Sequence, residues 1–356
     1  CRNMSRVYNQ PSKLTMTISL SDKELIEQAD SYYKEERLFE AARLLQQVKD
    51  QTQLTDLHQR LLKTASVCHT AVDELLSAPH EEWKQQSNSG HGKYPTSIYY
   101  KVESGARMTC RIETPVPSSM LVPLLSVLNE SELYKTWIPS WTYPIKLGVQ
   151  QSRQLLNDTR GHQIIQVQCN VPWPMSSREV LMDVIAIDDI DRDGFIIAKM
   201  QSITEDTHSN LLSINFAIPP VDSGMERIDF DGAVLFRSCP KDHPNLADAQ
   251  AEFPEQDLLL LQFLIFFDAH MTAVPPSLIH FVTRTVIGRI WAMLLQVAEQ
   301  VRDGTEKRSA HTAVIEEKAK FYEWIEERCQ FMIQRMNQQQ QEEEEEEEQT
   351  MTTTSE

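Results

Sequence analysis

One carboxylate interrupts an otherwise apolar run. In Val180-Leu-Met-Asp-Val-Ile-Ala-Ile187 only Asp183 is polar. Alternation along a strand puts Asp183 on one face with Leu181, Ile185 and Ile187. A carboxylate on such a face must be solvated, paired or neutralised. It receives the polar end of a ligand, is held by a cation such as Arg178 or Arg111, or lies on a sheet face open to solvent. Just upstream the chain reads Asn170-Val-Pro-Trp-Pro-Met-Ser-Ser-Arg-Glu179. Pro172 and Pro174 cannot donate ladder hydrogen bonds, so the chain leaves the sheet here. Trp173 is then held out on a loop, where its ring needs something apolar to cover. Arg178 and Glu179 follow as pocket polar groups or as an ion pair anchoring that loop. His270 reads as a hydrogen-bonded core histidine.

Other chemistry is poorly supported. The six cysteines (Cys1, Cys68, Cys110, Cys169, Cys239 and Cys329) are far apart, with no Cys-x-x-Cys pair. That pattern predicts buried free thiols in a reducing compartment. The ten histidines form no His-Glu-x-x-His, so no metal site and no cofactor is expected. No nucleophile–base pair or metal triad is visible, which points away from an enzyme. A net charge of −18 argues against nucleic acid as a partner and against an electrostatic hold on anionic lipid.

These residues must be positioned by elements that the patterning predicts. After an irregular stretch over 1–20, Ser21-Asp-Lys-Glu24 is a capping box that starts a helical region over 21–80. Helices are expected to about Lys34, then over 37–50 and 54–76. Ala29 and Ala41 sit where a tetratricopeptide-type hairpin keeps small residues for close helix contact. A linker follows over 87–95, and the period then becomes alternating. Strands are expected over 97–103, 107–114, 145–150, 163–171, 180–187, 195–201, 211–216, 232–238 and 258–267. A short apolar helix is expected over 118–128, and a tight hairpin turn at Asp191-Arg-Asp-Gly194. Pro275-Pro-Ser277 opens a helix over 278–301 that is apolar on two adjoining faces, so it must touch two things. A second C-terminal helix, suited to coiled-coil contact, is expected over 313–336 within a segment 305–337. The Gln/Glu run at 338–356 is expected to be a disordered acidic tail.

This order resembles a START domain, the StAR-related lipid-transfer family. The resemblance spans 83–304 and rests on residues 109–114 entering Pro115, the Trp137-Ile-Pro-Ser-Trp141 turn, Val171-Pro-Trp-Pro-Met-Ser-Ser-Arg-Glu179 and Pro275-Pro-Ser-Leu-Ile279. It implies an α+β helix-grip fold: a curved antiparallel sheet around a long C-terminal helix, here preceded by an α-helical hairpin region. It also implies a lipid tunnel between sheet and helix, with Asp183, Arg178, Trp173, Leu181, Ile185, Phe263, Ile287, Trp291 and Leu294 as candidate lining residues. The loop 172–177 would gate its mouth. Sterol-binding members pair an acid with a base across the tunnel, and this chain offers only Asp183 on that strand, so the resemblance favours other lipids. The function implied is non-enzymatic binding, transfer or sensing of a lipid. The expected partners are that lipid, a transiently touched membrane surface and a protein recruited by the N-terminal helices; the location implied is cytoplasmic, peripheral at membranes. The alternatives are an adaptor acting through those helices, or an enzyme on the same fold.

Overall fold

The computed structural model describes residues 20–79, 82–86, 93–102, 107–142, 146–171, 176–213, 215–268, 282–304 and 309–354. Helices α1 (Asp22–Lys34), α2 (Leu38–Leu45) and α3 (Asp56–Leu76) come first. The expected capping box is present, with the Ser21 hydroxyl accepting from the Glu24 N–H and the Glu24 carboxylate from the Ser21 N–H. Then come β1 (Lys84–Gln86), β2 (Ser97–Val102), β3 (Arg107–Pro117), α4 (Leu121–Asn129) and α5 (Tyr134–Trp137). The remaining strands are β4 (Gly148–Thr159), β5 (His162–Asn170), β6 (Ser177–Asp188), β7 (Ile196–Ser202), β8 (Met225–Arg227), β9 (Asp229–Ser238) and β10 (Leu258–Asp268). Short helices α6 (Ile190–Asp193), α7 (Glu205–His208) and α8 (Leu246–Glu252) lie between them. The chain ends in α9 (Gly288–Arg302), α10 (Ser309–Glu317) and α11 (Ala319–Thr354).

The strands form one open sheet in the order β1-β2-β3-β10-β9-β7-β6-β5-β4, with β8 added in parallel beside β6. Every other neighbouring pair is antiparallel. Three register shifts in β4 bend that edge of the sheet. Both faces are covered, which explains why β6, β7 and β9 are apolar at successive positions rather than alternating with polar ones. On one face, Ile185, Ile187, Ile197, Ala233 and Leu235 share a core with α2 and α3. On the other, Cys110, Ile112, Val234, Phe236 and Leu261 share one with α4, α9 and α11. The helix on this second face is gripped: Trp291 stacks on Phe263 at 5.9 Å between ring centroids and donates its indole N–H to Thr114 Oγ1 at 2.8 Å. This is the α+β helix-grip arrangement that the START resemblance implies.

A buried network ties α3 to the sheet. Arg111 donates to the carbonyls of Glu74 and Leu75 at 2.8 and 2.9 Å, satisfying the C-terminal end of α3. The same guanidinium donates to Glu113, which also accepts from Gln262 at 2.7 Å.

Four expectations differ. Residues 211–216 are not a strand among the described residues: Leu211 is apolar because it packs on Ile164, Leu181 and Ile203, covering the sheet rather than pairing in it. The turn at Asp191–Gly194 is one helical turn, Ile190–Asp193, ended by Gly194 at φ 71°. The final helix is two, broken at Lys318, and α11 continues as helix to Thr354 through the Gln/Glu run expected to be disordered. Gln and Glu are good helix formers, and adding residues to an existing, packed helix avoids the cost of nucleation. Of the helix expected over 278–301, residues 278–281 lie outside the described residues, and the rest is a π turn at Val282–Ile287 followed by α9. Among the described residues no helix is long and apolar enough to cross a membrane.

Candidate functional site

A cavity of about 930 Å³ lies on the gripped face of the sheet. Its floor is set by strand register. Side chains of Val184 and Ala186 on β6, Ala198 and Met200 on β7, and Val234 and Phe236 on β9 point the same way. Ala186 and Ala198 are directly opposite each other. Two of the smallest side chains at a cross-strand pair leave the floor hollow where larger residues would have filled it. Leu125 and Leu128 of α4 and Tyr134 of α5 form one wall. Tyr134 is fixed by donating its hydroxyl to Leu128 O at 2.6 Å.

The roof is α11, with Phe321, Trp324, Ile325 and Cys329 over the cavity. Buried Tyr322, Ile325, Cys329, Met332 and Met336 recur at intervals of three and four, the spacing of a coiled-coil seam. Here the seam packs on the domain's own core. Polar contacts fix the helix along its length. Arg328 donates to Asp188 and Asp191, an arrangement that holds its guanidinium in the charged form, chiefly through the hydrogen bond to Asp188. Arg335 donates to the carbonyls of Ile190 and Arg192. Glu130 accepts from the Tyr322 hydroxyl at 2.5 Å and from Lys318 at 2.7 Å. Burial pushes the Cys329 thiol up to about 12, so it sits in the cavity wall in its neutral form and reacts slowly.

The exposed part of the cavity lining is the β4–β5 turn together with the start of α11, which puts the opening between them. Arg160 on that turn lies over the Trp324 ring, 4.3 Å from its centroid, and pairs with Glu36 at 2.5 Å. The turn must stay tight. A Cβ on Gly161 would lie 2.7 Å from the backbone oxygen of Ala186, closer than a side chain can tolerate.

The residues singled out from sequence do not converge on this cavity. Leu181, Asp183 and Ile185 belong to the opposite face of β6, where Ile185 packs with the N-terminal helices and Leu181 with Ile203, Leu211, Phe216 and Ile218. Phe263, Ile287, Trp291 and Leu294 pack in the core between α9 and the sheet. Arg178 and Glu179 each form an ion pair, with residues of β8 rather than with each other. The parallel register of β8 sets Arg178 opposite Glu226 and Glu179 opposite Arg227, with contacts of 3.0 and 2.5 Å. Trp173 and His270 lie outside the described residues, as do most of the loop 172–177 and the Pro275-Pro276-Ser277 segment. The residues that sequence reading missed are Ala186, Ala198, Phe321 and Trp324. The alanine pair had no sequence signal, because the register that joins them is set by the fold.

Asp183 pairs with neither Arg178 nor Arg111. It lies 2.6 Å from His162 Nε2, while Asp158 lies 2.8 Å from Nδ1. Ser213 donates to Asp158 and has its Oγ 3.4 Å from the same ring nitrogen. Serine, histidine and aspartate are thus together, but the Ser213 hydroxyl donates to Asp158 rather than to the ring, and both ring nitrogens face carboxylates. Burial alone would lower the His162 pKa; the hydrogen bonds and charges of Asp183 and Asp158 outweigh it and raise the pKa. A ring that donates to both carboxylates has no lone pair to take the Ser213 proton. The alternating Asp189, Asp191 and Asp193 before Gly194 likewise hold no cation: Arg43 occupies Asp189 and Asp193, and Arg328 occupies Asp191. Among the described residues no group of acidic, histidine or cysteine side chains is arranged for a metal. Cys68, Cys110, Cys169, Cys239 and Cys329 are free thiols.

No family model matches the chain, and no curated protein matches it in sequence. Its similarity is to solved structures. Human STARD10 aligns with TM-score 0.46 and 15% identity over 69% of this chain and 84% of that one. Human StAR-related lipid transfer protein 5 aligns with TM-score 0.47 and 13% identity over 67% and 98%. A STAR-related lipid transfer protein fragment from Xanthomonas axonopodis aligns with TM-score 0.41 and 17% identity over 61% and 99%. Likeness at this level says nothing of a ligand. The START-like character of the fold is carried by the molecule's own strand order and by α9 lying in the grip of the sheet.

Proposed function

We propose that this protein binds a lipid in the cavity between the sheet and α11, and carries or senses it without chemical conversion. The observation that supports this most directly is the hollow over Ala186 and Ala198, apolar over its floor and roof, with charged side chains such as Asp158, Asp188 and Arg328 also in its lining, and large enough for a sizeable apolar ligand. An apolar molecule gains roughly 25 cal/mol for each Å² it withdraws from water, so such a space favours a hydrocarbon over a polar solute. Trp324 at the rim is an amphipathic ring of the kind that sits well between an apolar interior and a wet surface, with the apolar Phe321 beside it. We keep the loop 172–177, which precedes β6 in the chain, as a proposed second portal gated by Trp173. Contact with a membrane surface during exchange and recruitment of a protein by the N-terminal helices are further parts of the proposal.

The test is native mass spectrometry of the purified chain after incubation with liposomes of mixed composition. Retention of a stoichiometric lipid is expected. A protein that emerges with no lipid of any class would remove the reading.

A further inference from the structure

Three residues from distant parts of the chain meet at the cavity mouth. Glu36 ends α1 with φ 65°, a left-handed conformation in which glycine is the ordinary residue. The Arg37 N–H bonds back to Tyr32 O at 2.9 Å, closing that turn. A glutamate in this strained place has its side chain in use. Its carboxylate accepts from the Arg160 backbone N–H at 3.0 Å and from Arg160 Nε at 2.5 Å. The guanidinium so fixed lies over Trp324, 4.3 Å from the ring centroid.

We propose that Glu36, Arg160 and Trp324 form a latch on the cavity mouth, so that a ligand enters or leaves when Arg160 lifts from Trp324. The N-terminal helices, through Glu36, then set how often that happens. This rests on the reading of the cavity as a ligand site and adds its regulation. The division of contacts along α11 supports it. Beyond the mouth the helix is held by Arg328, by Arg335 and by its buried seam. At the mouth the contacts are half-exposed, with side-chain exposures of 42% for Arg160 and 25% for Glu36. Partly solvated cation–π and ion-pair contacts are weak enough to break without unfolding anything else. A partner that shifted the α1–α2 connection would therefore loosen the mouth.

Two readouts test this on the full chain. The first is stopped-flow exchange of a nitrobenzoxadiazole-labelled fatty acid against excess unlabelled fatty acid. Arg160→Ala and Glu36→Gln are expected to raise the association and dissociation rates together by about three- to tenfold, the range such contacts imply. Affinity should then change by no more than about twofold. The second needs no ligand. Cys329 lines the cavity from the roof, whereas Cys110 is buried in the sheet core. Modification by methyl methanethiosulfonate, mapped by mass spectrometry, should accelerate at Cys329 in both variants and not at Cys110. Unchanged Cys329 modification in both variants overturns the latch, as does acceleration at Cys110 in step with Cys329, which would mean global loosening. A wild-type protein that takes up no fatty acid counts against the cavity reading alone, and the Cys329 rates still decide the latch.

Discussion

Filling the hollow is the most direct perturbation of the cavity. Ala198 faces Ala186 across the β6–β7 pair, and both line the floor. A phenylalanine at 198 would stand into space that is already empty, so its ring needs little rearrangement of the walls. An aromatic side chain buries on the order of 150 Å². At about 25 cal/mol/Å² that is roughly 4 kcal/mol of contact, taken from whatever ligand lay on the floor. If the ligand recovers half of it by shifting, about 2 kcal/mol remains, a loss of about thirtyfold in affinity. The same burial acts in favour of the folded protein, offset by any strain of overpacking. Ala198→Phe is therefore expected to keep or raise its thermal midpoint while binding at least tenfold more weakly.

The assay pairs differential scanning calorimetry with titration of a fluorescent fatty acid. Ala198→Val is the graded control, since it adds less volume and should weaken binding by a smaller factor. A folded Ala198→Phe protein that binds with wild-type affinity would show that ligands lie elsewhere, for instance at a portal toward the loop 172–177. A protein that loses both stability and binding would mean that the space is not free in solution, which contradicts the hollow itself.

Two further predictions concern buried charge. Burial alone would raise the Glu113 pKa, but nearby His243, 3.5 Å away, and the Arg111 charge and hydrogen bond bring it down to about 2 from 4.5. A carboxylate with a lowered folded pKa contributes stability above its unfolded value and loses it as pH falls. Chemical denaturation from pH 5 to pH 2 should thus show a progressive loss on the order of 3 kcal/mol that Glu113→Gln lacks, and identical pH slopes would refute it. His162 has the opposite sign. Its raised pKa makes its contribution full below about 6.5 and lost as pH climbs through the folded value, so the thermal midpoint should fall between pH 6.5 and 9 in wild type and fall less in His162→Gln, the two slopes being compared in the same buffers.

Sequence patterning located most strands and the N-terminal helices, because apolar periodicity and the Ser21 cap report on local structure. The expected strands over 163–171 and 180–187 are β5 and β6 with ends shifted by a few residues. What periodicity cannot report is which face meets which layer. A strand covered on both sides is apolar at odd and even positions alike, so Asp183 could be assigned to a face but that face could not be assigned to the gripped helix. The structure puts it on the side of the N-terminal helices, beside His162. Likewise, Arg178 and Glu179 announced an ion pair, but their partners Glu226 and Arg227 lie on a three-residue strand too short to leave a pattern.

The roof makes the same point about partners. Tyr322, Ile325, Cys329, Met332 and Met336 follow a spacing that a second helix would satisfy, and sequence alone allows that second helix to belong to another chain. In this fold the demand is met within the molecule, by α4 and the sheet-side core. Meeting it leaves the neighbouring face of the same helix, with Phe321 and Trp324, over the hollow made by two alanines. One set of side chains holds the helix down and the adjacent set closes the cavity. A substitution in the seam should therefore disturb stability and ligand exchange together, whereas one at Arg160 should disturb exchange alone.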